Sequence, residues 1–201
     1  MTPGRSGRQK KFKHKRPKSN KLPIAIGLFV VIAAVITVVV YMLSLNNSSG
    51  VVLLQTSKGN ITIQLRNDRP ITTSNFKNLI EQGIYDGTIF HRVISNFMIQ
   101  GGDPTGTGYG DPSIPDIQDE LDGVNENNRG TISMANTGVA NSGSSQFFIN
   151  VVDNNYLDTK HSVFGTVISG MDVVDEISNV ETDANDKPLV DVTLIKAEII
   201  S

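Results

Sequence analysis

From Leu22 to Leu45 the chain reads LPIAIGLFVVIAAVITVVVYMLSL, twenty-four residues without a charge. No other feature constrains the chain as much, because about twenty apolar helical residues cross the hydrocarbon core of a bilayer. A cleavable signal peptide is the nearest competitor. Its apolar region is usually shorter, and no small-x-small cleavage site follows here, where the chain continues NNSSG. Residues 1–21 hold nine of the chain's eighteen Lys and Arg and no acid. A basic flank of this kind stays in the cytoplasm. The expected organisation is therefore a disordered basic arm at 1–21, a signal-anchor helix at 22–45, a linker at 46–50 and a domain at 51–201. That topology makes the chain a single-pass membrane protein with its domain outside the cytoplasm. The arm could be read as a nucleic-acid binder, but its place beside the span favours a topology signal that also meets anionic headgroups. Membrane lipid around 22–45, and no nucleic acid, is the expectation.

All twenty Asp and Glu lie from Asp68 onward, so the net charge of −2 averages a basic arm and an acidic domain. The chain has no cysteine, which excludes disulfides, thiol catalysis and thiolate metal sites. Three histidines, one of them His14 in the arm, leave too few ligands for a histidine metal centre.

Within the domain, VVLLQTSKGNITIQL reads as a hairpin turning at Lys58-Gly59-Asn60. Pro70, a Thr/Ser cap region, and Phe76, Leu79 and Ile80 at helical spacing predict a helix at about 72–82, stopped by Gly83. Strands are expected within 88–100, then a Gly/Pro/Asp/Asn-rich connection over 101–130. Further strands follow at 131–135, 146–151 and 162–168, a second helix at 170–179, and a closing strand at 190–200. Many short strands, two separated helices and no βαβ rhythm indicate an antiparallel barrel or sandwich.

Four segments carry the chemistry: FHRVISNFMIQGGD (90–103), GTGYG (106–110), MANTGVANSGSSQFFI (134–149) and YLDTKHSVFG (156–165). GTGYG alone suggests a phosphate loop, but no helix or Lys-Ser/Thr follows it. Arg92 alone could be a strand arginine paired with a carboxylate such as Asp103. Together, in this order and spacing, the segments resemble the cyclophilin family of peptidyl-prolyl cis–trans isomerases, from Val51 to the C-terminus. The resemblance implies a mainly β fold, a closed eight-stranded antiparallel barrel capped by two helices. It implies Arg92 as the catalytic arginine, with His91 either beside it in the site or a structural histidine. Phe97, Met98, Phe148 and Leu157 would form a proline pocket. Gln100, Ala135, Asn136, Gln146 and His161 would line a peptide groove, with Gly106 and Thr107 in a flanking loop. Phe90, Phe147 and Phe164 are assigned to the barrel core. No cofactor or metal is implied, and a monomer is the default.

These residue types suit the reaction. Amide rotation is opposed by about 18–20 kcal/mol, and X–Pro isomers exchange over tens to hundreds of seconds. No covalent bond breaks, so neither nucleophile nor proton shuttle is needed. A guanidinium directed at the prolyl nitrogen or the adjacent carbonyl favours the twisted amide, and an apolar pocket holds one half of the substrate while the other turns. The implied partners are proline-containing polypeptides, folding or exported. The alternative is a membrane-tethered proline-binding chaperone or scaffold whose isomerase activity is incidental. Three positions depart from the family pattern. Tyr156 stands where many members carry tryptophan, so weaker binding of cyclosporin-type macrocycles is expected. Ser95 replaces a common proline, and Ser144 occupies a glycine-favoured slot.

Overall fold

The structure is a computed structural model that describes Thr37 and residues 50–201. The arm at 1–21, the expected membrane span at 22–45 apart from Thr37, and the linker before Gly50 lie outside the described residues. Among the described residues no helix is long and apolar enough to cross a membrane.

Over residues 50–201, nine strands and two helices follow in chain order: β1 (Val51–Thr56), β2 (Gly59–Leu65), α1 (Pro70–Glu81), β3 (Thr88–Ile89), β4 (Arg92–Ile94), β5 (Met98–Gly101), β6 (Thr131–Met134), β7 (Phe147–Asn150), β8 (Val163–Ser169), α2 (Met171–Ser178) and β9 (Thr193–Ile199). A single 3-10 turn, Asn155–Leu157, lies between β7 and β8. All pairs are antiparallel, in the order β3-β9-β1-β2-β8-β6-β7-β5-β4.

This corrects the expected closed barrel of eight strands. The ladder is a curled sheet of nine strands with two edges, β3 and β4. The physical reason is a joint at Phe90-His91. There the chain leaves its pairing with β9 and, two residues later, begins pairing with β5. The Phe90 N–H still donates to Val192, at 2.9 Å, but the Val93 N–H donates to Asp186 in a loop, at 2.8 Å. The expected strand region 88–100 is broken once more at Ser95–Phe97, where Asn96 takes a left-handed conformation (φ 58°).

Alternation along β1 and β2 buries Val52, Leu54, Ile61, Ile63 and Leu65 on one face. Phe76 of α1 lies against that core with Tyr85, Phe147 and Phe164, ring centroids 5.1–5.7 Å apart in tilted or edge-on contacts. Phe90, Phe147 and Phe164 are fully buried, as core residues should be. Helix α1 begins at Pro70, two residues earlier than the Thr/Ser pattern suggests. Proline is pre-organised for the first helical position, and Glu120 supplies the cap. Its carboxylate accepts the N–H groups of Ile71 (3.0 Å) and Thr72 (2.8 Å) and the Thr72 hydroxyl (2.7 Å). Helix α2 starts after Gly170, whose φ of 89° and close approach to Asn60 admit no side chain. A Cβ there would lie 2.2 Å from the Asn60 carbonyl oxygen. The two ends of the described domain are tied together: the Val51 N–H donates to Ser201 and the Ile200 N–H to Val51, each at 2.8 Å.

Candidate active site

Strands β4, β5 and β7 lie side by side at one edge of the ladder, and their register assembles the site. Arg92 pairs with Gln100, and Gln100 with Phe148. Because side chains alternate along a strand, Arg92, Gln100 and Phe148 share one face with Met98. The same register sends Val93, Ile99 and Ile149 to the opposite face, where they are buried in the core. This resolves the mixed composition of FHRVISNFMIQGGD: one strand face builds the core and the other builds a cleft.

The cleft has a volume of about 540 Å³, and Arg92, Phe97, Met98, Gln100, Ala135, Asn136, Phe148, Leu157 and His161 all contribute to its wall. Nine of the fourteen expected site residues therefore meet in one place. Its apolar floor is Met98, Ala135 and Phe148, all buried, with Phe97 and Leu157 packed against them. Asn154 anchors this wall by donating its side-chain N–H to the Phe97 carbonyl at 2.9 Å. The other expected residues stand around the cleft. Gln146 lines an adjoining cavity of about 450 Å³, and its side-chain carbonyl accepts an N–H from Gln100 at 2.8 Å. His91, Gly106 and Thr107 line a third cavity, which shares Arg92 and Gln100 with the cleft. Tyr156 is 69 % exposed and stacks on Phe97, centroids 6.2 Å apart and planes 21° apart, so it extends the rim rather than the floor.

The polar groups are held in specific states. His161 donates from Nδ1 to the Met134 carbonyl at 3.0 Å, which fixes its tautomer and leaves Nε2 as an acceptor. Phe148 meets the same ring edge-on at 5.2 Å. Burial holds the pKa of His161 below its ordinary value. The Asn136 side-chain amide donates to the Lys160 carbonyl at 2.7 Å, and its oxygen accepts the Gly138 N–H at 3.0 Å. The Arg92 side chain makes no hydrogen bond among the described residues. Its charged partner is Asp186, whose carboxylate lies 3.7 Å from Nε, with both side chains a little over 40 % exposed.

Sequence reasoning missed four contributors. Asp119 and the Thr137–Ala140 turn also line the cleft, and no periodicity marks such residues in an irregular segment. Asp186 reaches Arg92 from ninety-four positions away in sequence, in a left-handed conformation (φ 65°) that aspartate tolerates better than most residues. Asp103 is fully buried and organises the loop beside the site. It accepts N–H groups from Thr105, Gly108 and Gly110 at 2.9, 2.7 and 3.2 Å, and the Thr105 hydroxyl at 2.8 Å. Burial opposes its ionisation, but these donors outweigh burial and leave its pKa below the ordinary carboxylate value. Asp103 is thus fully occupied by its own loop. The Arg92–Asp103 pair, a plausible reading of the isolated sequence, does not form.

Known proteins are similar to this chain in sequence and fold. The family model described as cyclophilin type peptidyl-prolyl cis-trans isomerase/CLD matches residues 51–199. A peptidyl-prolyl cis-trans isomerase of Schizosaccharomyces pombe is 47 % identical over 148 residues, 72 % of this chain and 95 % of that protein. One from Dictyostelium discoideum is 47 % identical over 150 residues, 73 % of this chain and 95 % of that protein. A crystal structure of a Cryptosporidium parvum cyclophilin type peptidyl-prolyl cis-trans isomerase, determined in the presence of the dipeptide Ala-Pro, superposes with a TM-score of 0.72 at 33 % identity. It covers 75 % of this chain and 99 % of that one. With its fold, its cleft and its relatives in agreement, the chain belongs to the cyclophilin-type peptidyl-prolyl cis-trans isomerase family.

Proposed function

We propose that the Arg92 cleft binds an X–Pro segment and speeds its isomerisation by stabilising the twisted amide. The observation that carries this reading is the state of Arg92. Its guanidinium stands beside an apolar floor with its hydrogen-bonding capacity unfilled by the described residues, held only by a loose ion pair to Asp186. As the C–N bond twists, resonance is lost and the prolyl nitrogen regains a lone pair. A fixed cation nearby stabilises that state more than the planar one, and every 1.4 kcal/mol of such difference is about a tenfold rate gain. Met98, Phe148, Phe97 and Leu157 grip the ring. Gln100, Ala135, Asn136, Gln146 and His161 fix the peptide on either side, and Gly106 and Thr107 flank it.

The test is isomerisation of an Ala-Pro peptide, followed by exchange NMR or a protease-coupled assay. Arg92→Ala should lower kcat/KM by about a hundredfold or more, in the range seen for removing one electrostatic donor to a transition state. A variant that keeps most of its activity while remaining folded overturns the mechanism.

The uncharged run 22–45 beside the basic arm further supports a retained single-pass anchor, with the isomerase domain acting outside the cytoplasm on folding or exported chains. Membrane fractionation with protease protection of residues 51–201 tests it. Recovery of the full chain in the soluble fraction rules it out. Tyr156, exposed at the rim, supports reduced binding of cyclosporin-type macrocycles, checked by comparing Kd before and after Tyr156→Trp.

A further inference from the structure

A cavity of about 460 Å³ lined by His91, Arg92, Thr107 and Lys187 adjoins the cleft, and its Lys187 has no part in the chemistry proposed above. Two of the cavity's acceptors are already engaged. Asp183 Oδ1 takes the N–H groups of Asn185 (2.8 Å) and Lys187 (3.0 Å). The Thr107 hydroxyl lies 2.7 Å from that of Thr105 and accepts the Tyr109 N–H at 3.2 Å. Its two cations are free of hydrogen bonds by contrast. Among the described residues, Arg92 and the Lys187 ammonium have only carboxylates at 3.7 and 3.9 Å, beyond hydrogen-bonding distance. His91 is 7 % exposed and closes one wall of the cavity.

We propose that this cavity binds a carboxylate of the substrate polypeptide, an aspartate or glutamate side chain close to the isomerised proline. A carboxylate is the ligand whose oxygens accept from several donors at once while meeting their charge. Lys187 supplies the donors and, with Arg92 still directed at the amide, the positive charge, while His91 forms part of the wall. Asp186 and Asp191 hold the two cations in place without occupying their donors, because half-exposed pairs at these distances are screened by water. The cavity shares Arg92 and Gln100 with the cleft, so a chain seated there by its proline passes directly into it. The inference rests on the proposed reading of that cleft as the proline site.

The experiment uses the full chain and a set of acetylated, amidated peptides of identical composition around one Ala-Pro. One glutamate is moved through the positions on each side of the proline or placed far from it. Constant composition removes the overall charge as a variable, and amidation removes the terminal carboxylate as a rival ligand. Both kcat/KM and Kd are measured for each isomer. One position adjacent to the proline should favour binding and turnover by about fivefold or more over the remote isomer, consistent with charge-assisted contacts to partly exposed cations. Lys187→Glu should abolish or invert that ratio, read within the variant so that any general loss cancels. Equal Kd values for adjacent and remote isomers overturn the proposal, whatever the rate. An Arg92-independent rate accompanied by a retained positional preference overturns the proposed mechanism instead.

Discussion

His91 and His161 are held neutral by burial, and the consequence is a stability that depends on pH. Both have pKa values below the ordinary histidine value. Burial is the main cause in each, opposed in part by the Asp103 carboxylate for His91 and by the Met134 carbonyl for His161. Below about pH 6.5 the unfolded chain therefore binds more protons than the folded one. The contribution is fully present above that value and is lost as the pH falls through it toward the lower folded pKa values. Thermal unfolding between about pH 7 and 5 should show a falling Tm, and the double variant His91→Gln, His161→Gln should flatten that slope. Asp103 acts at a lower pH. Its depressed pKa makes its contribution complete above the ordinary carboxylate value and lost as the pH drops through the folded one. Asp103→Asn sets an amide N–H against donors that already point inward. It should cost about 2 kcal/mol or more, measured by urea unfolding, and should loosen the 103–110 loop. Nine of the residues that line the cleft were named in sequence through the resemblance to a known family, and strand alternation explains why Arg92, Met98, Gln100 and Phe148 share a face. Asp186 and the role of Asp103 were not legible there, since each depends on a loop whose path no local pattern specifies.

At the scale of elements, two departures from expectation have long-range causes. Helix α1 begins at Pro70 because Glu120 caps it, and the forty-nine positions between Ile71 and Glu120 carry no sign of the contact. No side chain caps the helix locally at Arg69. Glu120→Ala should therefore destabilise the domain by about 1–2 kcal/mol, in the range for losing an N-terminal cap. The check is a lower urea midpoint with an unchanged m-value. Gly170→Ala should cost more, because the methyl meets the Asn60 carbonyl in a left-handed conformation, and α2 or the β2–β8 pairing must shift to admit it. The two helices and most strands are visible as hydrophobic periodicity. The joint at Phe90-His91 is invisible in that pattern, because both halves of the segment have strand-like composition and only their partners differ.

At the scale of the whole molecule, charge is divided more sharply than the net value suggests. Residues 1–21 carry nine positive charges, and the domain carries nine basic against twenty acidic side chains, a formal −11. A field of that sign draws cationic polypeptides toward the domain and weakens with salt, since the Debye length shrinks to about 3 Å at 1 M. For Lys-rich Ala-Pro peptides kcat/KM should fall several-fold between about 0.02 and 0.5 M salt, and for Glu-rich peptides it should rise. This long-range preference is separate from the local carboxylate site, which selects position rather than overall charge.

The hydrogen bonds joining Val51 to Ser201 and to Ile200 place the entrance and exit of the domain on adjacent strand ends. Such a fold is indifferent to where the covalent chain is opened. A circular permutant linking Ser201 to Gly50 through a few glycines, and opened in the exposed stretch after Asp111, should retain the sheet and the cleft. For the same reason the domain can be housed as an insertion within a surface loop of another protein without separating that loop's two stems.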